Sequence, residues 1–242
     1  MAPYKTLLFD LDDTLLDFQA SEEVALQNLF KEQEFTLTPD MKANYKRLNA
    51  SLWKAYENNE ISRDEVVNKR FALLFQQYGI EVDGIALQAN YRRYLSEGHH
   101  LMEGALELIQ KLSAEFDLYI VSNGISSTQH QRLKDSGLAP YFKKVFVSED
   151  TGYQKPMKGF FDLVFSRIEN INLKETLIIG DSFSADVTGG WNAGIDTCWI
   201  NLNEQENQHS EIIPTYEIRN LEELYGILGI EQYELVKADS GQ

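Results

Sequence analysis

A doubly wound parallel α/β sheet carrying an inserted α-helical domain is the fold class that the sequence predicts, on three observations. Short apolar runs that end in acidic or small polar residues alternate with helical patterns through the second half of the chain. One such run stands apart near the N-terminus. The stretch between it and the others, from about Phe18 to about Glu97, has helical periodicity almost throughout.

Tyr4 to Asp10 reads Y-K-T-L-L-F-D, an apolar run stopping abruptly in acid, as expected of a buried parallel strand with function at its C-terminal end. The spacings Glu22-Val24-Leu26-Leu29-Phe30 and Val66-Phe71-Leu74-Phe75 then predict helices. Inserted directly after the first strand, these helices would lie over the strand ends as a cap and exclude water from a site there. The expected division is a core of residues 1–17 and 98–242 and a cap of residues 18–97. Trp53, Tyr56 and Phe71 are expected to be core side chains, since aromatics at helical spacing pack more often than they bind.

Helices are predicted at Gly104 to Ala114, Ser127 to Ser136 and Met157 to Ile168. Strands are predicted at Leu118 to Ser122, Lys144 to Ser148, Leu177 to Asp181 and Thr197 to Asn201. A last short strand and helix are expected between Ile212 and Ile230, and a frayed end from about Ala238. Alternation of this kind implies right-handed crossovers, with ligands beyond the carboxyl ends of the strands. Those ends carry Asp10, Ser122 and Asp181.

Composition narrows the function classes. At 242 residues, with 43% hydrophobic and 25% charged, the chain has the make-up of an ordinary globular protein. The single cysteine, Cys198, excludes an internal disulfide, and no Cys/His cluster suggests zinc. Asp10, Asp12 and Asp13 follow a very short apolar run, unlike a signal peptide, and no run reaches membrane-span length; the expected location is the cytoplasm, with no membrane partner. A net charge of −16 argues against a nucleic-acid polymer as partner. Phosphate chemistry on so anionic a chain requires local positive charge from a lysine, a helix N-terminus or a metal ion.

Four segments supply such groups. Asp10-Leu11-Asp12-Asp13-Thr14 follows the first strand, and two-residue periodicity would put the carboxylates of Asp10 and Asp12 toward the same side. Their repulsion is relieved by a divalent cation or a raised pKa. A carboxylate ionised at neutral pH attacks phosphorus without a base to activate it, and a second acid can protonate the leaving oxygen and then activate water. Taken alone, the motif reads equally as a solvated acidic turn.

Val121-Ser122-Asn123-Gly124 offers a hydroxyl and exposed N–H groups for phosphoryl oxygens, although Asn-Gly is also a common turn. Gln154-Lys155-Pro156 offers the cation, its approach restricted by the proline. Gly180-Asp181-Ser182-Phe183-Ser184-Ala185-Asp186 offers hard oxygen ligands at Asp181, while Asp186 reads either as a ligand or as an acid at a helix N-terminus. The conjunction of the four at strand ends decides for a site.

With these motifs the sequence resembles the haloacid dehalogenase superfamily over nearly its whole length. The resemblance implies a Rossmann-like core and Mg2+ as cofactor. It makes Asp10 the nucleophile, Asp12 the acid/base, Ser122, Asn123 and Lys155 the phosphate ligands, and Thr14 a supporting residue. Asp181, the Asp10 carboxylate and the Asp12 main-chain carbonyl would hold the metal. Asp186 would stand near the metal or orient the lysine. Members that cleave carbon–halogen bonds lack an acid at the place of Asp12, so the resemblance implies a small-molecule phosphomonoester as substrate.

The runs Gly189 to Asn201 (G-G-W-N-A-G-I-D-T-C-W-I-N) and Arg70 to Phe75 (R-F-A-L-L-F) are similar to bacterial nucleoside 5′-monophosphate phosphatases that favour pyrimidines. A sugar phosphatase or phosphomutase of the same superfamily is the alternative, and a noncatalytic phosphate-binding regulator is a third reading. His99, His100 and Cys198 are read as structural.

Overall fold

The computed structural model of the chain describes residues 4–204, 206 and 211–230. The frayed end expected from Ala238 lies outside the described residues. Six strands form one parallel sheet: β1 (Thr6–Phe9), β2 (Asp117–Ser122), β3 (Lys144–Val147), β4 (Thr176–Gly180), β5 (Asp196–Ile200) and β6 (Tyr216–Ile218). Their order is β3-β2-β1-β4-β5-β6. The order reverses at β1, so the crevice between the C-terminal ends of β1 and β4 is the switch point where α/β proteins bind ligands. The register is Phe9 to Ile120 on one side of β1 and Phe9 to Ile179 on the other.

Side-chain alternation explains why both faces of the sheet are covered. Leu7 and Phe9 point to one layer with Ile120, Leu177 and Ile179, packed by α5 (Ala105–Leu112), α6 (Ser126–Asp135) and α10 (Glu223–Leu228). Leu8, Tyr119, Val121 and Ile178 point to the other, packed by Phe160, Phe161 and Val164 of α8 (Lys158–Ser166). A short α7 (Ser148–Thr151) follows β3, and α9 (Thr188–Ala193) continues a π-helical turn at Phe183–Val187. The predicted strands and helices are all present, with bounds moved by a few residues. The helix after β4 ends at Gly194, whose φ of 75° is the left-handed conformation that favours glycine.

The close packing of α9 needs another glycine. A Cβ on Gly190 would stand 2.5 Å from Ile178 Cγ2 and 2.6 Å from Thr197 Cγ2, both buried against the sheet. Gly190→Ala is expected to destabilise the fold by about 1–3 kcal/mol through overpacking. A fall in the urea midpoint at unchanged slope would be the readout; an unchanged midpoint would show that α9 can shift freely.

Four helices fill the insertion: α1 (Phe18–Glu32), α2 (Pro39–Glu57), α3 (Arg63–Gln76) and α4 (Gly84–Glu97). Each begins at a side chain that accepts from its first-turn N–H groups, Asp17, Thr38, Ser62 and Asp83 in turn, and Ser62 with Glu65 completes a capping box. Their apolar stripes meet in a separate core of Leu26, Leu29, Phe30, Tyr45, Phe71, Phe75 and Tyr91. Hydrogen bonds join it to the segments around the strand ends. Tyr56 donates to Ser148 Oγ at 3.2 Å, Ser184 donates to Glu57 Oε2 at 2.5 Å, and Arg92 donates to Ser127 and Thr128. No helix among the described residues is long and apolar enough to cross a membrane.

Candidate active site

Asp10 follows β1 directly, and its main-chain N–H bonds Ile179 O of β4 at 2.9 Å, which places it at the switch point. Because β1 ends at Phe9, two-residue alternation does not extend to Asp12. The chain instead curls: the N–H groups of Leu15 and Leu16 return to Leu11 O, and Asp13 takes a φ of 53°. Asp13 accepts from the N–H groups of Phe18 and Gln19, tying the loop to the start of α1. Asp10 and Asp12 therefore line the same cavity but hold different partners.

Lys155 is the partner of Asp10. Its side chain is buried, and Nζ donates to Asp10 Oδ1 at 2.7 Å, to Asp186 Oδ1 at 2.6 Å and to Val121 O at 2.8 Å. Burial disfavours its charge, but the Asp10 and Asp186 carboxylates outweigh that and push its pKa upward. Burial pushes the Asp10 carboxyl up, against the pull of the Lys155 ammonium and with the push of Asp186 and Asp12. Asp181 is raised well above the ordinary carboxyl range by burial first, then by Asp10, Asp186 and Asp13.

Carboxylate oxygens of Asp10, Asp181 and Asp186 lie within 4.8 Å of one another, so one lysine faces three acids. That surplus of negative charge among hard oxygen donors fits a divalent cation of the magnesium type. Asp186 is the least available of the three. Its Oδ1 holds Lys155 and its Oδ2 accepts from Ser182 N at 3.1 Å. Gly180 permits this, since any Cβ there would overlap the Asp186 carboxylate. Of the two readings left open for Asp186, the geometry favours orienting the lysine.

Ser122 ends β2 beside this cluster, where its Oγ accepts from Gln129 Nε2 at 2.8 Å and Gly124 N at 3.1 Å, leaving its own O–H for a ligand. Asn123 uses its side chain elsewhere. Its side chain does not point its amide at a ligand: Nδ2 donates to Lys155 O at 2.9 Å and Oδ1 accepts from Lys155 N at 2.8 Å. Both ends of the amide are used in fixing the Lys155 backbone, so only the main-chain N–H of Asn123 is left for an oxyanion. Thr14 is fully buried, outside the cavity lining, and among the described residues its Oγ1 has no partner.

A single cavity of about 390 Å³ is lined by Asp10, Asp12, Ser122, Asn123, Lys155, Asp181 and Asp186, all seven brought together from four loops. The insert supplies the opposite wall with Phe18, Trp53, Glu57, Arg70, Gln88 and Leu95. Trp53 is thus partly a cavity residue, whereas Tyr56 and Phe71 are buried as expected. The arrangement is equipped to hold an oxyanion between a lysine, a hydroxyl and a cation, with a carboxylate beside it.

Residues 7–200 match the haloacid dehalogenase-like hydrolase family. HAD-hydrolase YfnB of Bacillus subtilis is 59% identical over 96% of this chain and 98% of its own. The chain belongs to the haloacid dehalogenase-like hydrolases. Pyrimidine 5′-nucleotidase PynA of Streptococcus pneumoniae is 44% identical over 93% of this chain and 95% of its own. Pyrimidine 5′-nucleotidase YjjG of Escherichia coli is 31% identical, over 92% and 96%. The crystal structure of YfnB, bound to magnesium and described as revealing interdomain movement, superposes with a TM-score of 0.90 over 94% of this chain and 99% of that one. As a hydrolase of this family, the chain is an enzyme.

Two residues of this hydrolase site carry no motif in the sequence. Arg132 and Gln129 stand one turn apart on α6 and converge on Asp12. Arg132 Nη1 pairs with Asp12 Oδ1, and Gln129 Nε2 donates to Asp12 Oδ2 at 2.7 Å. Arg132 is buried, and its Nε donates to Gly98 O at 2.7 Å, where the chain returns from the insert. The available signal is the three-residue spacing of two polar side chains on a helix that starts at a strand end. His99 and His100 bond Glu97 O and Ser21 Oγ, away from the acids.

Proposed function

We propose that this enzyme is a Mg2+-dependent phosphomonoester hydrolase that works through an aspartyl-phosphate on Asp10, with nucleoside 5′-monophosphates, pyrimidines foremost, as its substrates. The observation that carries the reading is Lys155 Nζ bonded at once to Asp10 and Asp186, 1% exposed, at the switch point of the sheet. A buried ammonium there holds the Asp10 carboxylate in place and presents positive charge to an incoming phosphate. The pyrimidine preference rests on the names of the relatives PynA and YjjG.

In this reading Asp10 attacks phosphorus, the phosphorus–oxygen bond to the leaving group breaks, and Asp12 delivers its proton to that oxygen. Water then attacks the aspartyl-phosphate while Asp12 takes its proton, and inorganic phosphate leaves. Ser122 Oγ–H and the Asn123 main-chain N–H hold the non-bridging oxygens beside the positive charge of Lys155. Asp10, Asp181 and the main-chain carbonyl of Asp12 would hold magnesium, which when bound neutralises charge on the phosphoryl oxygens. Arg132 and Gln129 hold the two oxygens of Asp12 and so set the direction in which its proton is delivered. The helices of residues 18–97 act as a cap that shuts water out of the first step, over a core of residues 1–17 and 98–242. The enzyme works on free metabolites in the cytoplasm.

Phosphate release from nucleoside monophosphates and sugar phosphates, with magnesium or with excess chelator, tests this. The expected result is turnover that chelator abolishes and magnesium restores, with UMP and its relatives ahead of sugar phosphates. Full activity in chelator would overturn the metal assignment, and a flat panel would overturn the pyrimidine preference.

A further inference from the structure

Each helix of the insert contributes one buried polar side chain to a connected chain of hydrogen bonds: Glu22 from α1, Asn49 from α2, Arg70 from α3 and Gln88 from α4. Asn49 Nδ2 donates to Glu22 Oε1 at 3.2 Å, and Arg70 Nη1 donates to Asn49 Oδ1 at 3.0 Å. Arg70 then closes on Gln88, with Nε and Nη2 both donating to Oε1, at 2.9 and 2.7 Å. The guanidinium also lies over the Tyr91 ring, 4.5 Å from its centroid. A core of helices gains no stability from such a network relative to well-packed apolar side chains, so its retention asks for another reason.

Arg70 and Gln88 are the members that line the cavity, and Gln88 is oriented there. Turning its amide over would set NH2 against the guanidinium, donor to donor. Its Oε1 is filled by two N–H groups, which leaves Nε2 as the group to offer. Among the described residues Nε2 has no hydrogen-bond partner, and it is not one of the buried orphan atoms, Thr14 Oγ1, Tyr45 Oη and Arg132 Nη2. It therefore keeps accessible surface, on a residue that lines the cavity. Since arginine has no acceptor either, these two residues present a wall of donors only. Phe18, Trp53 and Leu95 add apolar lining in the same cavity that Lys155 and Ser122 also line.

We infer that Gln88, held in orientation by Arg70, is the base-reading subsite, donating its amide N–H to a ring carbonyl of a pyrimidine whose 5′-phosphate sits at Lys155. The assignment rests on the nucleotidase reading above. A ring carbonyl is common to uracil, thymine and cytosine, and adenine has none. An aromatic face meets the apolar lining, while its acceptor edge meets Gln88.

The test is Gln88→Glu, which keeps the size and both bonds from Arg70 but turns the donor into an acceptor. The ratio of kcat/KM for UMP to that for ribose 5-phosphate, which has no base, is expected to fall on the order of 100-fold. An unchanged ratio overturns the subsite while leaving the phosphatase reading intact. Absence of phosphate release from either compound by the wild type overturns that reading, and the subsite with it. A second comparison needs no variant: the wild type should favour UMP over a phenyl C-riboside 5′-phosphate, whose ring stacks but accepts no hydrogen bond, again on the order of 100-fold. Equal kcat/KM for the two would overturn the inference.

Discussion

Asp10→Asn is expected to lower turnover on the order of 10⁵-fold while leaving the fold intact. An amide cannot displace the leaving oxygen, so no covalent intermediate forms, whereas its Oδ1 can still accept from Lys155 Nζ. The wild-type site holds three buried or half-buried acids against one lysine, and burial with mutual repulsion raises Asp10 and Asp181. Removing one negative charge relieves that repulsion. Without magnesium the variant should therefore melt at the same temperature as the wild type or higher. Adding magnesium should raise the wild-type midpoint more than that of the variant, because a ligand bound to the native state stabilises by mass action and Asp10 is one of its proposed donors. Phosphate release and scanning calorimetry read the two effects separately. Residual activity within tenfold of wild type would remove Asp10 from the nucleophile's role; a collapse of the midpoint would make its role structural.

The strand ends were legible because each of them joins two signals that physics ties together. A buried parallel strand must be apolar throughout, and it ends where the first charged or small polar residue appears, which is also where an α/β fold gathers its ligands. Asp10, Ser122 and Asp181 are found by that rule alone. Lys155 needed a different argument, the want of a cation on a strongly acidic chain, and it sits where that argument requires. Boundaries moved by a few residues: Tyr4, Asp10 and Asp181 fall just outside the strands, although the Asp10 N–H still bonds Ile179 O of the neighbouring strand.

The insert was readable as helices and unreadable as a surface. Periodicity finds the stripe that packs Phe71 and Phe75, but the polar side chains that face the cavity have no period of their own. Trp53 and Gln88 look in sequence like any residue of an amphipathic helix, and their convergence with Arg70 from α2, α3 and α4 is visible only in the fold. The task of the Asn123 side chain is hidden for a related reason. The two ends of its amide match the N–H and C=O of Lys155, a residue far along the chain. Pairings of that kind are set by tertiary distance and leave no mark on local sequence.

Asp12→Asn is expected to separate the two chemical steps. With a nucleotide the leaving group is an alkoxide, which must be protonated as it departs, so loss of the acid should slow the first step by about 10²–10⁴-fold. With 4-nitrophenyl phosphate the leaving phenolate is stable without a proton, and attack by Asp10 should proceed at a rate nearer to that of the wild type. The second step needs Asp12 in both cases, as base toward water. A burst of 4-nitrophenol stoichiometric with enzyme, followed by a slow steady state, is the expected signature, with phosphate remaining bound to the denatured protein. Gln129 and Arg132 sharpen the test, because they already hold the two oxygens of Asp12. Arg132 can keep the remaining carbonyl and so hold the side chain in place while its proton chemistry is lost, whereas Gln129, whose Nε2 also donates to Ser122 Oγ at 2.8 Å and whose Oε1 accepts from Arg132 Nη1 at 3.2 Å, gives up its bond to this side chain. Equal slowing of both substrates, with no burst, would mean that Asp12 positions the loop and does not handle the proton.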